Sequence, residues 1–306
     1  MADANVRPKE KPKDEEKKEY TFDFDELKLY FSEPYIIKTP NDKYIEITQP
    51  SIGDILLIGD REVYSSIFPF VTNTTACRVQ LWDMGIDWNK ITDYELFSKL
   101  ISSIKNVEFL FRLVLPLSPG TLESNDIKSI DKTYEDIDFS NFKAYGIKDD
   151  SCEGETSKEI FLYNPEQDIL INEETYMHIR EYIRMMFNYY PKEEFAKGKL
   201  AKKWIIADEK DRIERESKNN RRKNKSILLP LVSSLLNHPG FKYDLDGIKK
   251  LGIFAFMDSV QRLKVYEQCT AFMGGMYSGF MDTSKLGPEE LNKRVDWLQD
   301  IYVLDK

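Results

Sequence analysis

Apolar positions along this chain recur at helical spacing over long stretches and alternate only briefly. The longest stripe is Ile253, Phe256, Val260, Leu263, Tyr266, Cys269 and Met273. Steps of three and four place these residues on one face of an α-helix. Gly274-Gly275 and then Gly279 supply the stop, because glycine takes the positive φ that ends helices. Asp258, Arg262 and Lys264 form the polar side, and residues 227–236 are the expected packing partner. A second stripe, Tyr176, Ile179, Ile183, Met186 and Tyr190, starts behind Asn172 as N-cap, with Glu173 and Glu174 at the positive end, and stops at Pro191.

Earlier in the chain Ser51, with Asp54 three residues on and Pro50 before it, reads as a capped helix start. Ile52, Ile55 and Leu56 are expected to face the core, and Gly59 to break the helix. Residues 62–117 read as helical and rich in aromatic side chains: Tyr64, Phe68, Phe70, Trp82, Trp88, Tyr94, Phe97, Phe109 and Phe111. A turn at residues 83–87 and a second capped start at Thr92, with Glu95, divide that region. Residues 197–225 predict a long charged helix. Leu200, Trp204 and Ile205 bury its first turns, and its second half projects into solvent or a partner.

Strand signals are confined to two places. YIIK and KYIEI flank a Thr-Pro-Asn-Asp turn at residues 35–47, and short apolar runs flank Asn-Pro-Glu-Gln at residues 159–171. The expected fold is therefore a mainly α protein with two small β-hairpins, its core built around residues 254–273. Residues 1–19 are nearly all charge and proline, with no apolar side chain after Val6, and read as a disordered tail. Residues 20–118 form an N-terminal hairpin and helical region, and 119–158 an irregular acidic connection. Residues 159–306 hold the second hairpin, the charged helix and a C-terminal helical region.

Charge and composition narrow the functions. The 306 residues carry a formal net charge of -9, which disfavours non-specific capture by nucleic acid or an anionic membrane. Cys77, Cys152 and Cys269 show no C-x-x-C spacing and fit a reducing compartment. The N-terminus has no signal-peptide core, and no uncharged apolar run reaches the ~18 residues that span a bilayer. No Walker A loop, G-x-G-x-x-G fingerprint or G-x-S-x-G elbow occurs, and the acidic connection lacks the spacing of a calcium loop.

Glu174, His178 and Glu181 share one helix face, but the E-x-x-H spacing of di-iron bundles is absent. His238, in Asn-His-Pro-Gly, reads as a turn residue. These patterns predict no catalytic residue, no metal and no cofactor. The one candidate binding feature is the basic run at residues 218–225, with Arg221, Arg222, Lys223 and Lys225 as partner-binding residues. It lacks interleaved aromatics, so a nucleic-acid-binding module is the third reading.

Three groups of segments carry a resemblance: LYFSEPYIIK (29–38) with ITQPSIGDI (47–55); QLWDMGID (80–87); and NHPGFKY (237–243) with FMDSVQR (256–262) and MYSGFMDTSK (276–285). Together they resemble proteins of the tail modules of tailed bacteriophages of Gram-positive hosts, encoded near the tape-measure gene. The likeness runs over residues 29–285, and its motifs are structural. The charged helix and the acidic connection do not map onto it. It implies a non-enzymatic tail assembly chaperone that binds the tape-measure protein in the host cytoplasm. The alternative is a structural tail or baseplate component carried in the virion. The partners implied are other phage tail proteins, with self-association as a further expectation.

Overall fold

The computed structural model describes residues 22, 24–116, 132–147, 159–218, 225–281, 284 and 286–299. Helices surround two small antiparallel sheets. The first has β1 (Tyr35–Lys38), β2 (Tyr44–Ile47), β3 (Phe111–Pro116) and β4 (Lys132–Asp136) in that order; the second has β5 (Lys143–Ile147), β6 (Glu159–Asn164) and β7 (Ile169–Ile171). Both expected hairpins are present, as β1–β2 with Ile37 opposite Ile45, and as β6–β7 with Leu162 opposite Ile171. Each is widened by strands that periodicity did not predict.

β3 corrects the helical reading of residues 62–117. A short apolar run fits a buried helix or a strand equally well by pattern alone. Here β2 offers an open edge, Ile45 pairs with Leu113, and Arg112 faces out between the buried Phe111 and Leu113. β4 and β5 likewise correct the irregular reading of 119–158, of which residues 119–131 and 148–158 lie outside the described residues, as does the expected tail at 1–19. Acidic residues on β4 face solvent and leave no alternating apolar signal.

The two sheets meet at their turns. The Asn41 side-chain amide donates to the Asp168 carbonyl at 2.6 Å, and Leu170 N–H donates to Asn41 Oδ1 at 3.1 Å. Inside the second turn Asn164 is fully buried and fully used: its Nδ2 donates to the Asp138 carbonyl and Gln167 Oε1, and its Oδ1 accepts from the N–H groups of Glu166 and Gln167.

Eleven α-helices are found among the described residues. α1 (Glu26–Tyr30), α2 (Ile52–Ile58), α3 (Asp60–Val71), α4 (Arg78–Asp83) and α5 (Asp93–Leu100) precede β3. α6 (Glu173–Phe187) follows β7, and α7 (Lys199–Lys218), α8 (Leu229–Leu236), α9 (Leu245–Lys250), α10 (Ile253–Tyr277) and α11 (Pro288–Val295) complete the order. Ser51 and Thr92 form the expected capping boxes with Asp54 and Glu95, and Gly59 ends α2 at φ 100°. Leu56 is exposed, unlike Ile52 and Ile55: the buried pair lies on the face toward the core, and Leu56 is one residue beyond it.

The main core draws on both sheets and on α1, α2, α3, α5, α6, α8 and α9, but takes only Ile253, Phe254 and Phe256 fully buried from α10. This corrects the expected core around residues 254–273. α10 does run past Gly274 and Gly275, since glycine costs a helix only about 1 kcal/mol and does not forbid it. The stop comes at Ser278 and Gly279, whose φ is 72°. A second, smaller core gathers Cys77, Val79, Leu81, Trp88, Leu96, Ala196 and Ile206 under α7.

An early and a late segment of the chain are clasped at Gly252. Gln49 Nε2 donates to the Leu29 carbonyl at 2.8 Å, while its Oε1 accepts from Phe254 N–H at 3.0 Å. Ile52 N–H donates to the Leu251 carbonyl and Ile253 N–H to the Pro50 carbonyl. A side chain at Gly252 would collide with the Gln49 amide and Ser32 Oγ, so it would have to displace Gln49 from these hydrogen bonds.

Candidate interaction surfaces

Along the outer side of α3 runs an open groove of about 690 Å³. Arg61, Tyr64, Ser65 and Phe68 share one face of α3 and form one wall; Phe187, the last residue of α6, forms another with Asn188 and Tyr189 just past it, and Met257 of α10 and Ile227 lie beside them. The chain turns there because Asn188 adopts a left-handed conformation at φ 46°, which asparagine tolerates better than most residues. Tyr64 packs edge-on against Phe187, and burial pushes its hydroxyl up to about 12, so it is neutral over the physiological range. Phe68 remains 39% exposed in the groove. The lining is aromatic and aliphatic with one guanidinium at the rim, a surface that buries apolar side chains and offers no nucleophile beside a base.

The basic run reaches this groove by its backbone. Lys225 is exposed, and its carbonyl accepts from Arg61 Nε at 3.0 Å and Nη2 at 2.8 Å. Asp60 holds the next residues, accepting from Ser226 Oγ, Ile227 N–H and Leu228 N–H. Burial alone would raise the Asp60 carboxyl, but these hydrogen bonds, Ser226 first, take it below its ordinary value. Arg221, Arg222 and Lys223 lie outside the described residues.

The helix-borne metal candidate does not assemble. His178 Nδ1 lies 3.4 Å from Tyr35 Oη with Phe22 and Phe24 against its ring, while Glu181 is committed to Arg180 and Arg184. Among the described residues no group of three or more His, Cys, Asp and Glu side chains is placed to hold a metal ion. His238 acts in its turn: Nδ1 accepts from Gly240 N–H at 3.0 Å, which makes Nε2 the donor to Glu267 at 2.9 Å in the neutral ring.

Arg180 and Arg184 form the most buried ionic cluster described. Arg180 pairs with Asp93 at 2.8 Å and with Glu181, and Arg184 donates to the Val71 carbonyl at 3.0 Å and the Thr72 carbonyl at 3.1 Å. Arg184 thereby satisfies carbonyls at the C-terminal end of α3, where the helix dipole favours a cation. Every member is partnered, so the cluster is structural, fixing α6 against α3 and α5.

α7 differs from the sequence expectation. Leu200 and Trp204 are 71% and 70% exposed, and Ile206 is its one fully buried side chain. The helix is held through Lys202–Asp87, Lys210–Asp83 and Glu209–Arg78, which orient its opposite face outward. Charged residues over the whole of α7 masked this from pattern reading. The usable signal was local: no acidic residue occurs between Lys197 and Ala207 around that tryptophan. Among the described residues no helix is long and apolar enough to cross a membrane. Comparison with protein-family models, with curated proteins and with solved structures finds no match for this chain.

Proposed function

We propose that this chain is a non-enzymatic bacteriophage tail assembly chaperone, binding the tape-measure protein in the host cytoplasm before the tail tube is built. The groove along α3 carries the reading. It is open, lined mainly by aromatic and aliphatic side chains, and walled by helices, which suits a partner helix laying its apolar stripe into it. A tape measure is a long helical chain whose apolar stripe needs cover until assembly, and the sequence resemblance points to the same gene neighbourhood.

Co-expression with the product of the adjacent long helical reading frame tests this. The wild-type chain should raise the soluble yield of that protein and elute with it, and Phe68→Glu, which puts a carboxylate in the groove, should lose both effects. Equal yields with and without the chain would reject the proposal. Purified virions separate the alternative: abundant stoichiometric copies in mature particles would make the chain a tail or baseplate component instead.

A further inference from the structure

A second surface lies on α7, away from the groove. Over its first two turns Leu200, Trp204 and Ala207 lie on one face at steps of four and three, and all are exposed. Lys199 and Lys203 flank this ridge on one side, with Lys197 just before the helix, and all are exposed without an ion pair among the described residues. The fourth lysine of the stretch, Lys202, points the other way and is taken by Asp87. The result is an apolar ridge edged by unpaired cations in a protein of net charge -9. Elsewhere on α7 the charges neutralise one another, as Arg212 does with Glu209 and Glu216 and Lys218 with Glu214.

We propose that the first two turns of α7 dock an acidic amphipathic helix, Leu200 and Trp204 receiving its apolar face and Lys197, Lys199 and Lys203 its carboxylates. The helical spacing of the ridge suits a helix partner, whose own ridges interdigitate at such spacing. Tryptophan is the side chain that most often dominates such contacts. Charge complementarity selects an acidic partner over a basic one. A nucleic acid is disfavoured because few cations face it and only one aromatic offers a stacking surface. An anionic bilayer, being extended, would also meet Asp208, Asp211 and Glu214 on the exposed continuation of the helix, whereas a partner helix crossing over the first two turns does not. This proposal does not depend on the tail-assembly reading.

The test titrates the full chain with a synthetic helical peptide of about 20 residues, leucines at helical spacing flanked by glutamates, by calorimetry at low and moderate salt. The same peptide with lysines for glutamates, a single-stranded oligonucleotide and phosphatidylserine vesicles are run alongside. The glutamate peptide is expected to bind, more weakly as salt rises, with affinity reduced at least ~10-fold by Trp204→Ala. Lys199→Glu/Lys203→Glu should transfer preference to the lysine peptide. Because these side chains are exposed, circular dichroism should be unchanged in both variants. Absence of binding, equal binding by Trp204→Ala, or a double variant that keeps its preference for the glutamate peptide would overturn the proposal. Binding of oligonucleotide or vesicles that is lost in these variants, in place of peptide binding, would overturn it as well.

Discussion

α6 and α7 are consecutive helices of similar length with opposite fates. α6 buries nine of its 15 residues, including two arginines; α7 buries one of 20. Both are rich in charge, so charge content does not separate them. What separates them is where the apolar positions fall. In α6 they repeat at steps of three and four along the full length, and the arginines between them reach partners fixed by α3 and α5. α7 has a single buried anchor, Ile206, and the remainder is held from its edges by ion pairs. One helix is part of the core, and the other is laid on top of it.

The largest effect expected from breaking this contrast is Arg184→Met. It leaves the Val71 and Thr72 carbonyls without their donor and Glu181 short of a cation. Denaturant unfolding should show a loss of about 3–5 kcal/mol, the usual cost of breaking a buried ion pair from one side. Ile206→Ala on α7 should cost less, about 1–2 kcal/mol, below the usual range for a buried isoleucine because α7 can detach locally. Its signature is faster proteolysis within residues 199–218 while the near-UV signal of the main core persists. Among the described residues Arg78 Nε and Trp88 Nε1 are buried donors with no hydrogen-bond partner, and both lie under α7, which marks that interface as the less complete one.

Acid should separate the helices further. The Arg212 hydrogen bond, with Arg78 adding to it, holds the Glu209 carboxyl below its ordinary value. Its contribution is therefore complete above the pKa of the unfolded chain and is lost as pH falls through the lower, folded value. Hydrogen exchange measured from pH 5 toward about pH 3 should show α7 losing protection before α6. Resistance of α7 equal to that of α6 would show that its carboxylate pairs do not hold it. The smallest effect belongs to Arg212→Ala on the solvent side of α7, at most about 0.5 kcal/mol by thermal unfolding, because exposed ion pairs contribute little.

The same contrast explains what could be read beforehand. The α6 stripe, the caps at Ser51, Thr92 and Asn172, and both hairpin turns are local signals, and all were legible. Even so, the α6 stripe ran one step too far: Asn188 turns the chain before Tyr190, which is half exposed. β3 was hidden because its apolar run suits either element, and only the edge of β2 decides it. Leu200 and Trp204 read as buried because large apolar residues usually go to the core. Their exposure follows from which edge of α7 finds Asp83, Asp87 and Arg78, and those residues lie more than a hundred positions away. The basic run was legible as charge, but the tie of Lys225 to the groove through its carbonyl leaves no trace in side-chain pattern.

The clasp at Gly252 also sets an order in time. Gln49 and Phe254 are 205 residues apart in the chain. At the ~5–20 residues per second of protein synthesis, the segment around Gln49 leaves the ribosome about 10–40 s before its partner exists. Until then the Leu29 carbonyl and the start of α2 stay open to water and to other chains, whereas the strands of the β1–β2 hairpin need only the short turn between Lys38 and Tyr44 to meet. Nascent molecules therefore carry that seam unfinished for about 10–40 s after Gln49 is made, and a chain shortened before residue 252 would keep it open permanently.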